Sequence, residues 1–201
     1  MAPLIDLVNQ QLDNQSISQL SRQLGTDEST TRQAVPAALT ALLGGLSRNA
    51  SQPQGAEQLA GALDRDHDGS LLDNLSGFFG NPQSNPQGGK GAGILGHIFG
   101  NKTPAVESQV GRTTGLNQQQ VARLLMLLAP VVLAALARRK QQQGLDSGGL
   151  GSVLQGERKH IEQTQPQNRG LLESLLDRDG DGQIADDLAG LAGGLLGGGR
   201  R

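Results

Sequence analysis

Two short stretches of the chain gather carboxylates densely enough to hold a cation. The first is Asp64-Arg65-Asp66-His67-Asp68-Gly69-Ser70-Leu71-Leu72-Asp73. The second is Asp177-Arg178-Asp179-Gly180-Asp181-Gly182-Gln183-Ile184-Ala185-Asp186-Asp187. Aligned from Leu63 and Leu176, both read L-D-R-D-x-D-G-x-[LI]-x-D-x-L. Calcium takes six to eight oxygen ligands at about 2.3–2.6 Å. Alternate Asp residues in a tight turn aim three carboxylates at one centre, and a glycine after the third permits the sharp bend. The next backbone carbonyl, of Ser70 or Gln183, supplies a further oxygen. At ~5 Å and an effective dielectric near 20, each pair of carboxylates repels by on the order of 3 kcal/mol before screening. A cation removes that repulsion. The competing reading is that both stretches are turns and helix caps without metal, since Asp is favoured in both settings.

Both stretches resemble the EF-hand calcium loop at positions 1, 3, 5 and 6 and in the apolar residue at position 8 (Leu71, Ile184). They depart from it at position 12, where Leu75 and Leu188 replace the bidentate Glu; the closing acid is instead at position 10 (Asp73, Asp186), with Asp187 at 11. That resembles shortened bacterial calcium loops and implies weak to moderate affinity, toward ~10⁻⁴–10⁻³ M. The expected ligand sets are Asp64, Asp66, Asp68, Ser70 and Asp73, and Asp177, Asp179, Asp181, Gln183 and Asp186. His67, at position 4, is expected to face solvent.

Helices must carry these loops. Leu4, Ile5, Val8 and Leu12 recur at helical spacing after Pro3. The run Asn14-Gln15-Ser16 breaks that helix, and Ser16 is expected to cap the next, which carries Ile17, Leu20 and Leu24 and ends at Gly25. Thr26 and Asp27 start a third, with Pro36 expected to kink or restart it. Residues 81–93 read as a flexible linker and 94–100 as a short apolar turn. A helix is predicted over 104–113, and a long one over 118–143 capped by Asn117 and containing Pro130. Residues 141–149 and 163–170 are Gln/Gly-rich and read as linkers or weak helix ends. No alternating Val/Ile/Thr strands occur, so the fold class is all-α.

An internal repeat runs through these elements. Gln19-Leu20-Ser21-Arg22-x-x-Gly25 parallels Gln109-Val110-Gly111-Arg112-x-x-Gly115 at an offset of 90, each followed by a polar cap, a proline-containing Leu/Ala helix and an Arg (Arg48, Arg138). The acidic loops match at an offset of 113. The expected organisation is two related helical modules, 1–80 and 94–162, joined by the linker 81–93. Residues 163–201 then supply a linker, the second loop and a Gly-rich tail.

Composition excludes several functions. A net charge of −2 argues against a general nucleic-acid or anionic-membrane binder, and the absence of Cys excludes disulfides and thiolate metal sites. Only three Phe and no Trp or Tyr leave a core of Leu, Val, Ile and Ala. The longest apolar run, 124–137, falls short of the roughly 20 residues of a membrane span and is expected to be a buried helix. The amphipathic N-terminus lacks a basic leader region, so a cytoplasmic location is expected. Residues 18–35 have a helix-turn-helix pattern that would offer Ser29, Thr30, Arg32 and Gln33 to DNA. Asp27 and Glu28 oppose phosphates there, and a helical hairpin packed in the core is the favoured reading. His97 and His160 stand apart from other ligands, and no Ser or Lys has a base partner, so no enzyme is expected. Arg138-Arg139-Lys140 complements a helix C-terminus or meets an acidic partner.

The chain resembles a bacterial domain-of-unknown-function family, number 937, which includes the YidB-like proteins. The resemblance lies in residues 36–49 (PAALTALLGGLSRN), 67–80 (HDGSLLDNLSGFFG), 93–115 (GILGHIFGNKTPAVESQVGRTTG) and 124–145 (LLMLLAPVVLAALARRKQQQGL). It implies a helical fold and no established activity. Taken together, these readings lead to an expectation of a calcium-binding helical protein acting as a binding or scaffolding module. The alternative is a metal-independent interaction or assembly protein, with a protein partner or a second copy as its target.

Overall fold

The computed structural model describes residues 2–66, 69–80, 91–168 and 170–172. These residues are helical throughout, with no strand among them. The α-helices are α1 (Leu4–Gln11), α2 (Asn14–Leu24), α3 (Glu28–Ala50), α4 (Pro53–Asp66), α5 (Leu75–Gly80), α6 (Gly91–Phe99), α7 (Thr103–Thr114), α8 (Gln118–Gln143) and α9 (Ser147–Thr164). Single 3₁₀ turns lie at Ser70–Asn74, Gly100–Lys102 and Pro166–Asn168.

Two helices form the centre because their sequences are apolar on every side. In α3 every residue from Ala37 to Ser47 is buried, and in α8 every residue from Leu127 to Ala137. A helix without a polar face has to be covered all round. Accordingly α3 packs against α1, α2, α4, α6, α7, α8 and α9, and α8 against α1, α2, α3, α4, α6 and α7. By length and composition α8 could cross a membrane, but 78% of its most apolar stretch is buried inside this fold. One continuous core runs from Leu4 to Leu172.

Small residues let the helices approach closely. A Cβ built on Gly45 of α3 would lie 2.5 Å from Ile98 and 2.7 Å from Phe99, so α6 rests on that glycine. A Cβ on Gly91 would lie 2.5 Å from the Met126 carbonyl of α8. That contact explains why 91–93, expected in the linker, and 94–99, expected as a turn, instead form α6. Burial of Leu95, Ile98 and Phe99 overrides the weak local propensity of three glycines.

Helix ends follow the residues at hand. Asp13, not Ser16, caps α2; its carboxylate accepts from the Ser16 backbone N–H at 2.7 Å. Asp27 caps α3 through Thr30 N–H at 2.8 Å, and Asn117 caps α8 in a reciprocal capping box with Gln120. Both α3 and α8 run unbroken past Pro36 and Pro130. The stretches read as Gln/Gly-rich linkers hold ordered ends. Gly144 closes α8 at φ +60°, Asp146 caps α9, and buried Asn168 donates to Thr40 of α3.

The hydrogen bonds from Ser16 hold the Asp13 carboxyl below its ordinary value, and those from Thr30 do the same for Asp27. A lowered folded-state pKa contributes stability that is present above the unfolded value of 3.8 and is lost as pH falls through the folded one. Asp13→Asn with Asp27→Asn keeps the caps but removes the titration, so acid unfolding followed by circular dichroism should show a shallower loss of stability below pH ~4. Packing is tested separately by two glycines. Gly45→Ala should cost about 1–3 kcal/mol in urea unfolding through the clash with α6. Gly93→Ala, where a Cβ meets nothing within 4 Å, should instead stabilise by about 0.5–1 kcal/mol.

Candidate functional site

The first acidic loop begins within α4. Buried Ala56 and Leu63 fix that helix on the core, and it runs through Asp66, leaving Asp64 exposed in its last turn. Residues 67 and 68 and the side chain of Asp66 lie outside the described residues, so Asp64, Ser70 and Asp73 are the described members of the first ligand set.

Gly69 has φ +81°, ψ −5°, a left-handed bend that L side chains rarely adopt. Its backbone also presses on α8: a Cβ there would lie 2.9 Å from Arg138 Cβ and 3.3 Å from the Ala134 carbonyl. Glycine is therefore required twice, for conformation and for approach. The chain then enters the Ser70–Asn74 turn, where Leu72 is buried, and α5, where Phe78 and Phe79 are buried with rings edge-on at 5.3 Å. Asn74 accepts from Gly77 N–H at 3.0 Å, and Gln23 of α2 donates to the Phe79 carbonyl at 3.3 Å. Loop and following helix are thus seated on two different elements, α8 and α2.

The end of α8 meets this loop with charge. Arg138 Nη2 lies 2.5 Å from Asp73 Oδ1, and Lys140 Nζ lies 2.5 Å from Asp64 Oδ1. The carboxylates are the exposed partners, at 66% and 59% side-chain exposure. Between these two cations in sequence, Arg139 turns inward. Its guanidinium lies 3.4 Å from Glu157 of α9 and donates to the Ala2 carbonyl. Glu157 is 4% exposed and also accepts from the Ile5 backbone N–H at 3.4 Å. The acidic partner of the basic triplet therefore lies within the chain. Sequence reading missed these roles; the one signal was three cations placed where an apolar helix leaves the core.

The described acids do not converge. Among the described residues no three His, Asp or Glu side chains stand close enough to share a metal. The second ligand set, Asp177, Asp179, Asp181, Gln183 and Asp186, lies outside the described residues.

A sequence profile described as a bacterial protein of unknown function, DUF937, matches residues 6–139. The chain belongs to the DUF937 family. The match runs from Asp6 of α1 to Arg139 of α8 and takes in the whole first loop. No curated protein and no solved structure matches this DUF937 chain.

The other candidate residues of this DUF937 protein are placed as follows. The 18–35 stretch forms the end of α2, a turn at Gly25 (φ +66°) and the start of α3. Ser29, Arg32 and Gln33 are exposed, Thr30 is half-buried, and Ser21 and Thr31 join the two helices through a buried hydroxyl bond at 2.9 Å. Arg32 donates to Asn14 at 2.9 Å. His97 is exposed, and His160 lies 3.4 Å from Asp6.

The Arg139–Glu157 pair yields the site's first test. Glu157→Leu strands a mostly buried guanidinium and should cost on the order of 3 kcal/mol in urea unfolding. Adding Arg139→Met should recover most of that loss. Asp64→Asn and Asp73→Asn, which break exposed pairs, should each cost about 1 kcal/mol or less.

Proposed function

We propose that this DUF937 protein is a calcium-binding helical module without catalytic activity, built from two related halves that each end in a shortened EF-hand-like loop. The observation that carries the reading is Gly69: a left-handed glycine directly after the third Asp of D-x-D-x-D-G, between a helix and a helical turn. The donors fit the ion in kind. Asp64, Asp66, Asp68 and Asp73 with the Ser70 carbonyl form an all-oxygen set suited to a hard cation. Of the described members, Asp64 is paired with Lys140 and Asp73 with Arg138, so each would have to leave its cation to reach an ion. Exposed pairs of this type contribute roughly 0–1 kcal/mol each, so a divalent ion can displace them. The role around this binding is that of an interaction or scaffolding protein, with a cytoplasmic location.

The second reading is favoured by the same two ion pairs. Here Arg138 and Lys140 are the permanent counter-ions of the loop, no metal enters, and the protein is an interaction or assembly module held by its own charges.

Calorimetry on chelator-stripped protein separates the two. The calcium reading expects binding at ~10⁻⁴–10⁻³ M, with magnesium weaker. Arg138→Gln with Lys140→Gln should tighten calcium about threefold to tenfold, because the competing cations are gone. Absence of heat to millimolar calcium in both proteins would leave the loops as charge-held turns.

A further inference from the structure

Helix α9 is seated by elements that all precede it in the chain. Its buried residues, Leu150, Leu154, Glu157 and Ile161, form one stripe at 4-3-4 spacing, while Gln155, Gly156 and Lys159 are exposed. The helix packs chiefly on α3 and α4 and not on α8, the helix it follows; from α8 it meets the side chain of Arg139. After α9, Asn168 donates to the Thr40 hydroxyl of α3, and that hydroxyl donates to Gln165. The helix also holds α1, since Glu157 accepts from the Ile5 N–H and His160 lies 3.4 Å from Asp6.

Seat and occupant are separable. The DUF937 match ends at Arg139, so α3, α4 and Arg139 lie within it and α9 lies beyond it. Three apolar anchors and one charge on a single stripe are the means by which an amphipathic helix docks into a groove. The link between the two is three residues, Gly144, Leu145 and Asp146. Its bend depends on Gly144, at φ +60° and ψ +39°, whose N–H bonds the Lys140 carbonyl. A Cβ at Gly144 would meet nothing within 4 Å, so the backbone conformation alone asks for glycine there. The three glutamines just before it, Gln141 to Gln143, are good helix formers. Every partner of α9 named above stands at or before Arg139, on the other side of this turn.

We propose that the α9 groove is an interface between two copies of this chain. The turn opens at Gly144, α9 seats on the α3, α4 and Arg139 of a second copy, and that copy returns its own α9, closing a two-fold dimer. Both seats are remade with the residues that form them in one chain, so the two states differ in the turn 144–146 and in concentration dependence. The exchange gives the interaction role proposed above a partner, a second copy. It requires no metal, so its failure leaves the calcium reading standing, and calcium titration does not decide it.

Gly144→Ala strains the closed turn and leaves the seat untouched. In sedimentation equilibrium of the full chain up to millimolar concentration, it should lower the dimer dissociation constant at least about tenfold. A monomer throughout, or an unchanged constant, overturns the proposal. Charge then tells exchange from any other pairing. In the Gly144→Ala background, one chain carries Arg139→Glu and a second carries Glu157→Arg. Each alone sets like charges against each other at its seat. Refolded together from urea, they complete one seat with Arg139 and Glu157 and the other with the reversed pair. Native mass spectrometry should then show the heterodimer at least about tenfold above either homodimer, with a urea midpoint above that of either variant alone. Random pairing, no heterodimer, or a heterodimer no more stable than the separate variants overturns the exchange.

Discussion

Everything in this fold follows from two helices that cannot face water on any side. The central stretches of α3 and α8 contain no charged residue, and their side chains are Leu, Val, Ala, Gly, Thr and Pro, closed off by Ser47 in α3. Each must be wrapped, and the wrapping uses every other helix of the described chain except α5, which closes on α2. With few aromatic side chains to fill gaps, density comes instead from backbone approach, as Gly45 beneath Ile98 and Phe99 illustrates. Amphipathicity then appears only in the covering helices, which have one face on the core and one in water.

Where α8 leaves the core its three cations divide by the burial of their partners. Arg139 faces inward and ties α9 and the start of α1 to the centre through Glu157. A pair so desolvated contributes little net stability but is costly to break, which fixes the arrangement of the three elements. Arg138 and Lys140 instead meet carboxylates that remain mostly in water. Three consecutive cations thus do two kinds of work, and only the outer kind can be exchanged for another ion at small cost.

How much of this could be read in the sequence depends on whether the decisive interaction is local. The long helix 118–143 and its Asn117 cap were legible to the residue, since a capping box and a Gly C-cap are local chemistry. The all-α class was legible from periodicity, and membership of the DUF937 family from four stretches of sequence. The helices α4 and α9 were not picked out, since Gly55 and Gly61, or Gly148, Gly149, Gly151 and Gly156, lower their local propensity while tertiary packing on α3 and on each other holds them. Helix α6 was hidden for the same reason. The cap of α2 was misplaced by three residues because Asp13 and Ser16 are both good caps, and only the geometry shows which oxygen accepts. Of the candidate site, the Asp spacing and the glycine bend were legible. Its cationic partners were not, because Arg138 and Lys140 lie 65 and 76 residues away from Asp73 and Asp64.

The placement of charge also bears on what a cation could do here. An isolated cluster of carboxylates repels itself, and a metal entering it relieves strain that the fold would otherwise carry. In this chain Lys140 and Arg138 already relieve part of that repulsion at the two ends of the first loop. A cation would then gain less from the loop than bare carboxylates offer, which agrees with the weak affinity expected of a loop lacking a bidentate acid at its last position. It would also release two side chains of α8 at the point where the loop and α8 touch. Were a cation to bind there, binding and the seating of the loop would be linked: whatever weakened the grip of Arg138 and Lys140 would favour the cation by the same free energy, and whatever strengthened it would oppose the cation.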